Sequence, residues 1–583
     1  MKLLPSYPAL LALLFLTLLL AACGMTEDTG KEQQPGPLSS GSTDQTITAQ
    51  QPVGQPVPII QPAIEEKDSP AAAPIRSQVL PAEAGMAKHK SYEAHRMDSV
   101  SLADIRQPSA GVNRDRFAKI DENGVKAVVQ EPVSTFSIDV DSGAYALVRR
   151  SLNQGQLPVT DAVRVEELIN YFDYDYRVPG DRKQPFSVTT EISRTPWNNK
   201  THLLHVGIKG IEVGKEQRPA SNLVFLLDVS GSMNSADKLP LLKSAFRLLV
   251  KQLNANDRVT MVVYAGASGV VLEPTPGNEQ GKILAALDRL SAGGSTHGSA
   301  GIQLAYAMAQ QEFIKDGINR VILATDGDFN VGTVNHEQLM DLIEDKRRHG
   351  ISLTTLGFGQ GNYNDHLMEQ LADKGNGNYA YIDTINEAQK VLVDELTSTL
   401  ETIAKDVKIQ IEWNPEVVAE YRLIGYENRM LAREDFSNDK VDAGDIGAGH
   451  SVTALYEITL NDGDQRRLEP LRYNPSTDRV NSQSNEIAFL RLRYKAPDAK
   501  QSKLIERPIY RNSIIEDVAR TSDNFRFSAA VAGFGQLLRG GRYTEGFEYS
   551  DVAKLAGNAR GQDNFGYRGE FLRLVNLAGS LGS

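Results

Sequence analysis

Hydrophobic positions change rhythm several times along the chain, and the clearest rhythm lies between residues 222 and 400. LVFLLDVS (223–230) is a continuous apolar run, the pattern of a strand buried on both faces. Helical spacing follows over 238–253, then strand patterns at 258–266 and 269–275 and a helix over 279–290. A glycine-rich loop (291–299) leads to a helix over 301–313, a strand at 320–328 and a helix over 337–348. A strand at 352–359, a helix near 365–371, a strand at 378–383 and a long helix from Glu387 to about Ile403 complete the series. Strands alternating with helices of this length predict a mostly parallel sheet covered on both faces. In such open sheets, ligands bind outside the carboxyl ends of the strands.

The flanks are different. FSIDVD (136–141) alternates like a short strand; 145–152 and 162–172 carry helical spacing, with Asp161 placed to cap the second helix. Strands are predicted at 185–193 and 202–210, separated by a turn around Trp197-Asn198-Asn199. Beyond Lys405 come strands at 407–413, 450–460 and 486–494, then helices over 524–538, 550–559 and 571–578. Strands on both sides of the α/β unit predict one β-sandwich into which that unit is inserted. The chain contains no internal repeat.

At the N-terminus, the apolar run from Ala9 to Ala22 is short for a membrane-spanning helix and suits a signal peptide. It ends in Leu20-Ala21-Ala22-Cys23-Gly24, which resembles the bacterial lipobox, in which the cysteine thiol is diacylglycerylated and the new N-terminus acylated. Cys23 is the sole cysteine, so a disulfide within the chain is impossible and acylation gives the thiol a purpose. From Gly24 to about Pro108 the chain is rich in Pro, Gln, Ser and Thr, with little periodicity. Such a segment buries too little apolar surface to offset its ordering entropy. It is expected to be a disordered tether with a reach of roughly 50 Å. The expected organisation is therefore a signal peptide (1–22), a lipidated tether (23–108), an N-terminal α+β segment (109–220), the α/β domain (221–403) and a strand-rich, then helical, C-terminal domain (404–583).

Composition narrows the function. The 583 residues carry a net charge of −12, which argues against nucleic acid as a partner. Apolar residues make up 41% of the chain, enough for several cores.

The candidate chemistry sits at the ends of the buried strands. The first ends in Asp228-Val229-Ser230-Gly231-Ser232-Met233, presenting a carboxylate and two hydroxyls on one turn. Downstream, the Gly293-Gly294-Ser295-Thr296 loop offers further hydroxyls, and a later strand ends in Thr325-Asp326-Gly327-Asp328. An all-oxygen set of hydroxyls with few carboxylates suits a hard divalent ion and offers nothing soft for copper or structural zinc.

The order Asp-x-Ser-x-Ser, Thr, Asp resembles the metal-ion-dependent adhesion site of the von Willebrand factor A family. The resemblance implies a Rossmann-like α/β domain binding Mg²⁺, with Mn²⁺ or Ca²⁺ as alternatives. It makes Ser230, Ser232 and Thr296 direct ligands and lets Asp228 and Asp326 act mainly through water. Ser295 competes with Thr296 for the role, and spacing favours Thr296. The implied function is binding without turnover: a protein partner supplies an acidic side chain as the last metal ligand. Residues 131–176 and the region after Lys405 also resemble a bacterial lipoprotein subfamily that carries this domain. By resemblance to other lipoproteins, the absence of Asp at position 24 implies the outer membrane in a diderm host; otherwise the outer face of the cytoplasmic membrane is expected.

Two other classes stay open: a scaffold or assembly factor of an envelope complex, and a metal-dependent hydrolase, for which His297 is the candidate base. Other motifs fail. His336-Glu337 begins like a zinc-protease motif, but position 340 is Met. Asp139-Val140-Asp141-Ser142-Gly143 lacks the spaced acids of a calcium loop and reads as a strand end leading into a helix.

Overall fold

The computed structural model describes residues 114–180, 184–296, 298–329, 336–463, 466–469, 471–472 and 485–582. Cys23, the signal-peptide run, the tether and His297 lie outside them. The strands are β1 (Lys126–Ala127), β2 (Val133–Ser137), β3 (Phe186–Thr195), β4 (Asn198–Gly210), β5 (Ser221–Asp228), β6 (Arg258–Tyr264), β7 (Ser268–Pro276), β8 (Ile318–Thr325), β9 (Ser352–Phe358) and β10 (Tyr379–Ile382). They continue with β11 (Thr402–Trp413), β12 (Val418–Ile424), β13 (Ile446–Gly447), β14 (Ser451–Leu460), β15 (Glu486–Lys495), β16 (Ser502–Tyr510) and β17 (Ile514–Ile515). The helices are α1 (Gly143–Asn153), α2 (Val165–Asn170), α3 (Leu239–Val250), α4 (Gln280–Asp288), α5 (Gly298–Gln311) and α6 (His336–Arg348). Next are α7 (Asp365–Lys374), α8 (Ile385–Gln389), α9 (Leu396–Leu400), α10 (Asp523–Leu538), α11 (Tyr549–Gly557) and α12 (Tyr567–Leu581).

The α/β domain is Rossmann-like. Its sheet runs β10-β9-β8-β5-β6-β7, parallel except for β7, which returns antiparallel beside β6. Successive residues of β5 serve opposite cores, which explains its unbroken apolar run. Leu223, Phe225 and Leu227 pack with Leu242, Phe246 and Leu249 of α3 and with Ile283 of α4. Val224 and Leu226 pack instead with Ile302 and Tyr306 of α5 and with Leu339 and Ile343 of α6.

Around this domain stand two sheets, β1-β12-β14-β4-β3-β17 and β13-β11-β15-β16, with β2 paired to β11. Phe136, Leu204, Val206, Ile409, Ile411, Tyr456 and Leu490 form the single core between them. Both sheets draw strands from either side of the α/β domain, so the sandwich with an inserted domain is what the chain builds. The outer face of the six-stranded sheet is covered by helices. Leu203, Ile424 and Leu455 pack there against Val148 and Leu168 of α1 and α2, and against Phe527, Phe534 and Phe571 of α10 and α12.

Four expectations need correction. The strand read at 136–141 ends at Ser137, and α1 starts at Gly143. The helix read over 162–172 is shorter: Thr160–Ala162 is a 3₁₀ turn and α2 starts at Val165. Asp161 therefore caps nothing there; its carboxylate accepts the Ile120 N–H at 3.3 Å. The long helix from Glu387 to Ile403 is broken into α8, a π turn (Lys390–Asp394) and α9, and β11 has begun by Thr402. Finally, β12 and β16 were not expected.

Candidate metal centre

The central strand β5 lies between β6 and β8, with α3 after it on one face and α5 on the other, so the crevice of the sheet opens at its carboxyl end. Asp228 closes that strand and is fully buried. One carboxylate oxygen accepts the Ser230 N–H at 2.8 Å. The other accepts the Thr325 hydroxyl at 2.9 Å and the Tyr264 hydroxyl at 3.2 Å. Burial still pushes its carboxyl up to about 6, against the pull of these donors.

The turn that follows sets the two serine hydroxyl oxygens 3.0 Å apart, with Ser230 buried and Ser232 exposed. The glycine-rich loop is stitched to this turn. Gly293 donates its N–H to the Val229 carbonyl at 2.8 Å, and Gly231 donates to the Gly294 carbonyl at 3.0 Å. Gly294 holds φ at +83°, a conformation that side chains disfavour. Thr296 is half-buried on that loop, while the Ser295 hydroxyl lies toward Gly266 at the exit of β6. On the other side, Asp326 follows β8 and is fully buried; its Oδ1 accepts the Asp328 N–H at 3.3 Å. Its Oδ2 accepts from the Lys238 ammonium at 2.8 Å. Gly327 has φ +84° and packs so closely that a Cβ would stand 2.5 Å from the Asn364 nitrogen.

The donor set fits a small hard cation. Two hydroxyls converge, a third residue of the same type lies on the adjoining loop, and two buried carboxylates supply charge. Asp228, Ser230, Ser232 and Asp326 thus gather at one edge, with the Thr296 loop bound to it. Sequence reasoning missed Tyr264 and Thr325, which hold Asp228, and Lys238, which pairs with Asp326. A signal existed for the last: Lys238 stands at the start of α3, where the helix dipole disfavours a cation.

A second group of carboxylates, Asp139, Glu167 and Glu369, is gathered within 4.8 Å. It is threaded by arginines: Arg429 reaches Asp139 at 2.9 Å and Glu369 at 3.5 Å, and Arg164 pairs with Glu167. These acids already have cationic partners, as an ion-pair network requires.

A parallel sheet with this crevice and this run of oxygen donors defines a protein with a von Willebrand factor type A domain, and the model of that domain matches residues 222–395. A second model, described as von Willebrand factor, matches 111–205, and one described as the C-terminal region of the uncharacterized protein YfbK matches 398–581. The chain belongs to the YfbK family: it is 48% identical over 470 residues to YfbK of Escherichia coli K12, covering 79% of this chain and 81% of that protein. It is also 22% identical over 262 residues to inter-alpha-trypsin inhibitor heavy chain H3 of Pongo abelii, covering 41% of this chain and 29% of that protein. Among solved structures, a von Willebrand factor type A protein from Catenulispora acidiphila is 15% identical, with a TM-score of 0.38, covering 68% of this chain and 91% of that one.

Proposed function

We propose that the chain is a lipid-anchored envelope protein that binds a protein partner through a divalent cation held at Asp228, Ser230, Ser232, Thr296 and Asp326. The observation that carries this reading is the convergence of the Ser230 and Ser232 hydroxyls, 3.0 Å apart, beside two buried carboxylates at the carboxyl edge of the sheet. The two serines and Thr296 would hold the ion directly. Both oxygens of Asp228 already accept hydrogen bonds from within the protein, which suits a carboxylate acting through water. A bound Mg²⁺ supplies an electrophilic position for the carboxylate of an acidic side chain on the partner. The von Willebrand factor A domain supports a role in protein interaction or adhesion, and the reading is one of binding without turnover. Acylation at Cys23 would anchor the chain, at the outer membrane in a diderm host.

The test is calorimetric titration of Mg²⁺, Mn²⁺ and Ca²⁺ into the purified Cys23→Ser protein beside its Ser230→Ala and Asp228→Ala variants. Saturable binding lost in both variants is the expected result. Equal binding by the parent and the variants would overturn the assignment.

A further inference from the structure

The donor set contains one group that a cation site does not call for. Lys238 stands at the start of α3 with its side chain 8% exposed and its ammonium 2.8 Å from Oδ2 of Asp326. Its position is fixed by packing. The Lys238 stem lies against Gly359, where a Cβ would collide with it, and Gly359 holds φ at +72°. The Gly359 carbonyl in turn accepts Arg150 Nη1 at 3.1 Å and the Tyr381 hydroxyl. Lysine therefore reaches the site because glycine, and not a larger residue, follows β9.

We infer that Lys238 is a tethered cation that sets the affinity of the site, weakening metal binding until an acidic ligand arrives. This rests on the metal reading proposed above. The argument is one of charge in a poorly screened place. Asp228 and Asp326 supply two negative charges, and Lys238 cancels one of them before any ion enters. A divalent ion then leaves the site with one positive charge in excess, and the carboxylate of a partner is what neutralises it. Without Lys238 the loaded site would already be neutral and would hold the ion tightly with little pull on an anion. The ammonium thus shifts the work of holding the metal from the protein to the complex.

The test compares Mn²⁺ titrations of the Cys23→Ser protein with and without Lys238→Met, which keeps the stem packed on Gly359, and Lys238→Arg, which keeps the charge. Acetate serves as the carboxylate probe, and thermal melts establish that each variant is folded. Lys238→Met is expected to bind Mn²⁺ roughly tenfold or more tightly, with Lys238→Arg near the parent. Saturating acetate should strengthen Mn²⁺ binding in the parent and not in Lys238→Met. Binding by Lys238→Met alone would support the inference in its strongest form. If the parent binds and Lys238→Met binds no more tightly, the inference falls while the metal reading stands. If neither binds, both fall.

Discussion

Arg149 donates to Oε2 of Glu387 across 2.7 Å, joining α1 of the flanking layer to α8 of the inserted domain. The same guanidinium also pairs with Asp383 at the end of β10 and, at 3.1 Å, with Glu570 of α12. Three parts of the molecule therefore meet on one buried cation. Replacing Arg149 by Met would strand Asp383 and Glu387 without a counter-charge. The expected cost is about 3–5 kcal/mol of stability, read as a lower urea midpoint. Adding Glu387→Gln to Arg149→Met should recover part of the loss, because one stranded charge is then gone.

Asp228 gives a pH-dependent prediction. Its folded carboxyl lies at about 6, above the ordinary 3.8, so its protonated form favours the fold. That contribution is complete below about pH 4 and is lost as pH rises through 6. Asp228→Asn, tested without metal, should therefore melt higher than the parent at pH 7. The gap, worth up to about 3 kcal/mol, should close by pH 4. In the parent, Mn²⁺ affinity should fall as pH drops from 7 to 5.

His205 works in the opposite direction. Burial pushes its imidazole down to about 4, and the ring is bonded to the Tyr176 hydroxyl at 2.8 Å. The unfolded chain takes up this proton first, so stability is lost as pH falls below the ordinary 6.5. His450, at about 3, adds to the same slope. Urea unfolding at pH 6.5, 5.5 and 4.5 should show the parent losing stability relative to His205→Gln by up to about 1.4 kcal/mol per pH unit.

Gly327 tests the geometry beside Asp326. Alanine there meets both the left-handed backbone and the Asn364 nitrogen. Gly327→Ala should cost roughly 2 kcal/mol or more and weaken divalent binding by displacing Asp326. A variant with unchanged melting and binding would show that the turn has slack.

The inserted domain was legible because β5 is apolar without a break from Leu223 to Leu227 and its neighbours alternate cleanly with amphipathic helices. The five proposed oxygen donors stood out because each closes or follows a buried strand or lies on a glycine-rich loop. Their supports were not. Tyr264 and Thr325 look like ordinary strand residues, and only the pairing of β5 with β6 and β8 brings them to Asp228. In β12, VAEYRLI hides its strand character behind Glu420 and Arg422. Arg422 is buried under the helices, where it pairs with Glu457 and Gln536. β16 is an edge strand, mostly exposed and carrying Pro508, so only Ile505 and Ile509 turn toward the core and its alternation is hard to read. The helix after Glu387 failed at the π turn, where the ladder shifts register without any proline or glycine to mark it.

The two chain connections of the inserted domain end on one short loop. Gly210 donates to the His450 carbonyl at 2.9 Å, Gly449 to the Ile211 carbonyl at 2.7 Å, and Ala448 to the Glu401 carbonyl at 2.8 Å. A pull on the proposed metal edge would consequently reach the sandwich through two strands, β4 in one sheet and β11 in the other, and not along a single linker. Each strand is hydrogen-bonded along its length to neighbours, so the tension would shear ladders of bonds together before opening any one of them. The fold is thus built as a mechanical coupling with its load divided at the root.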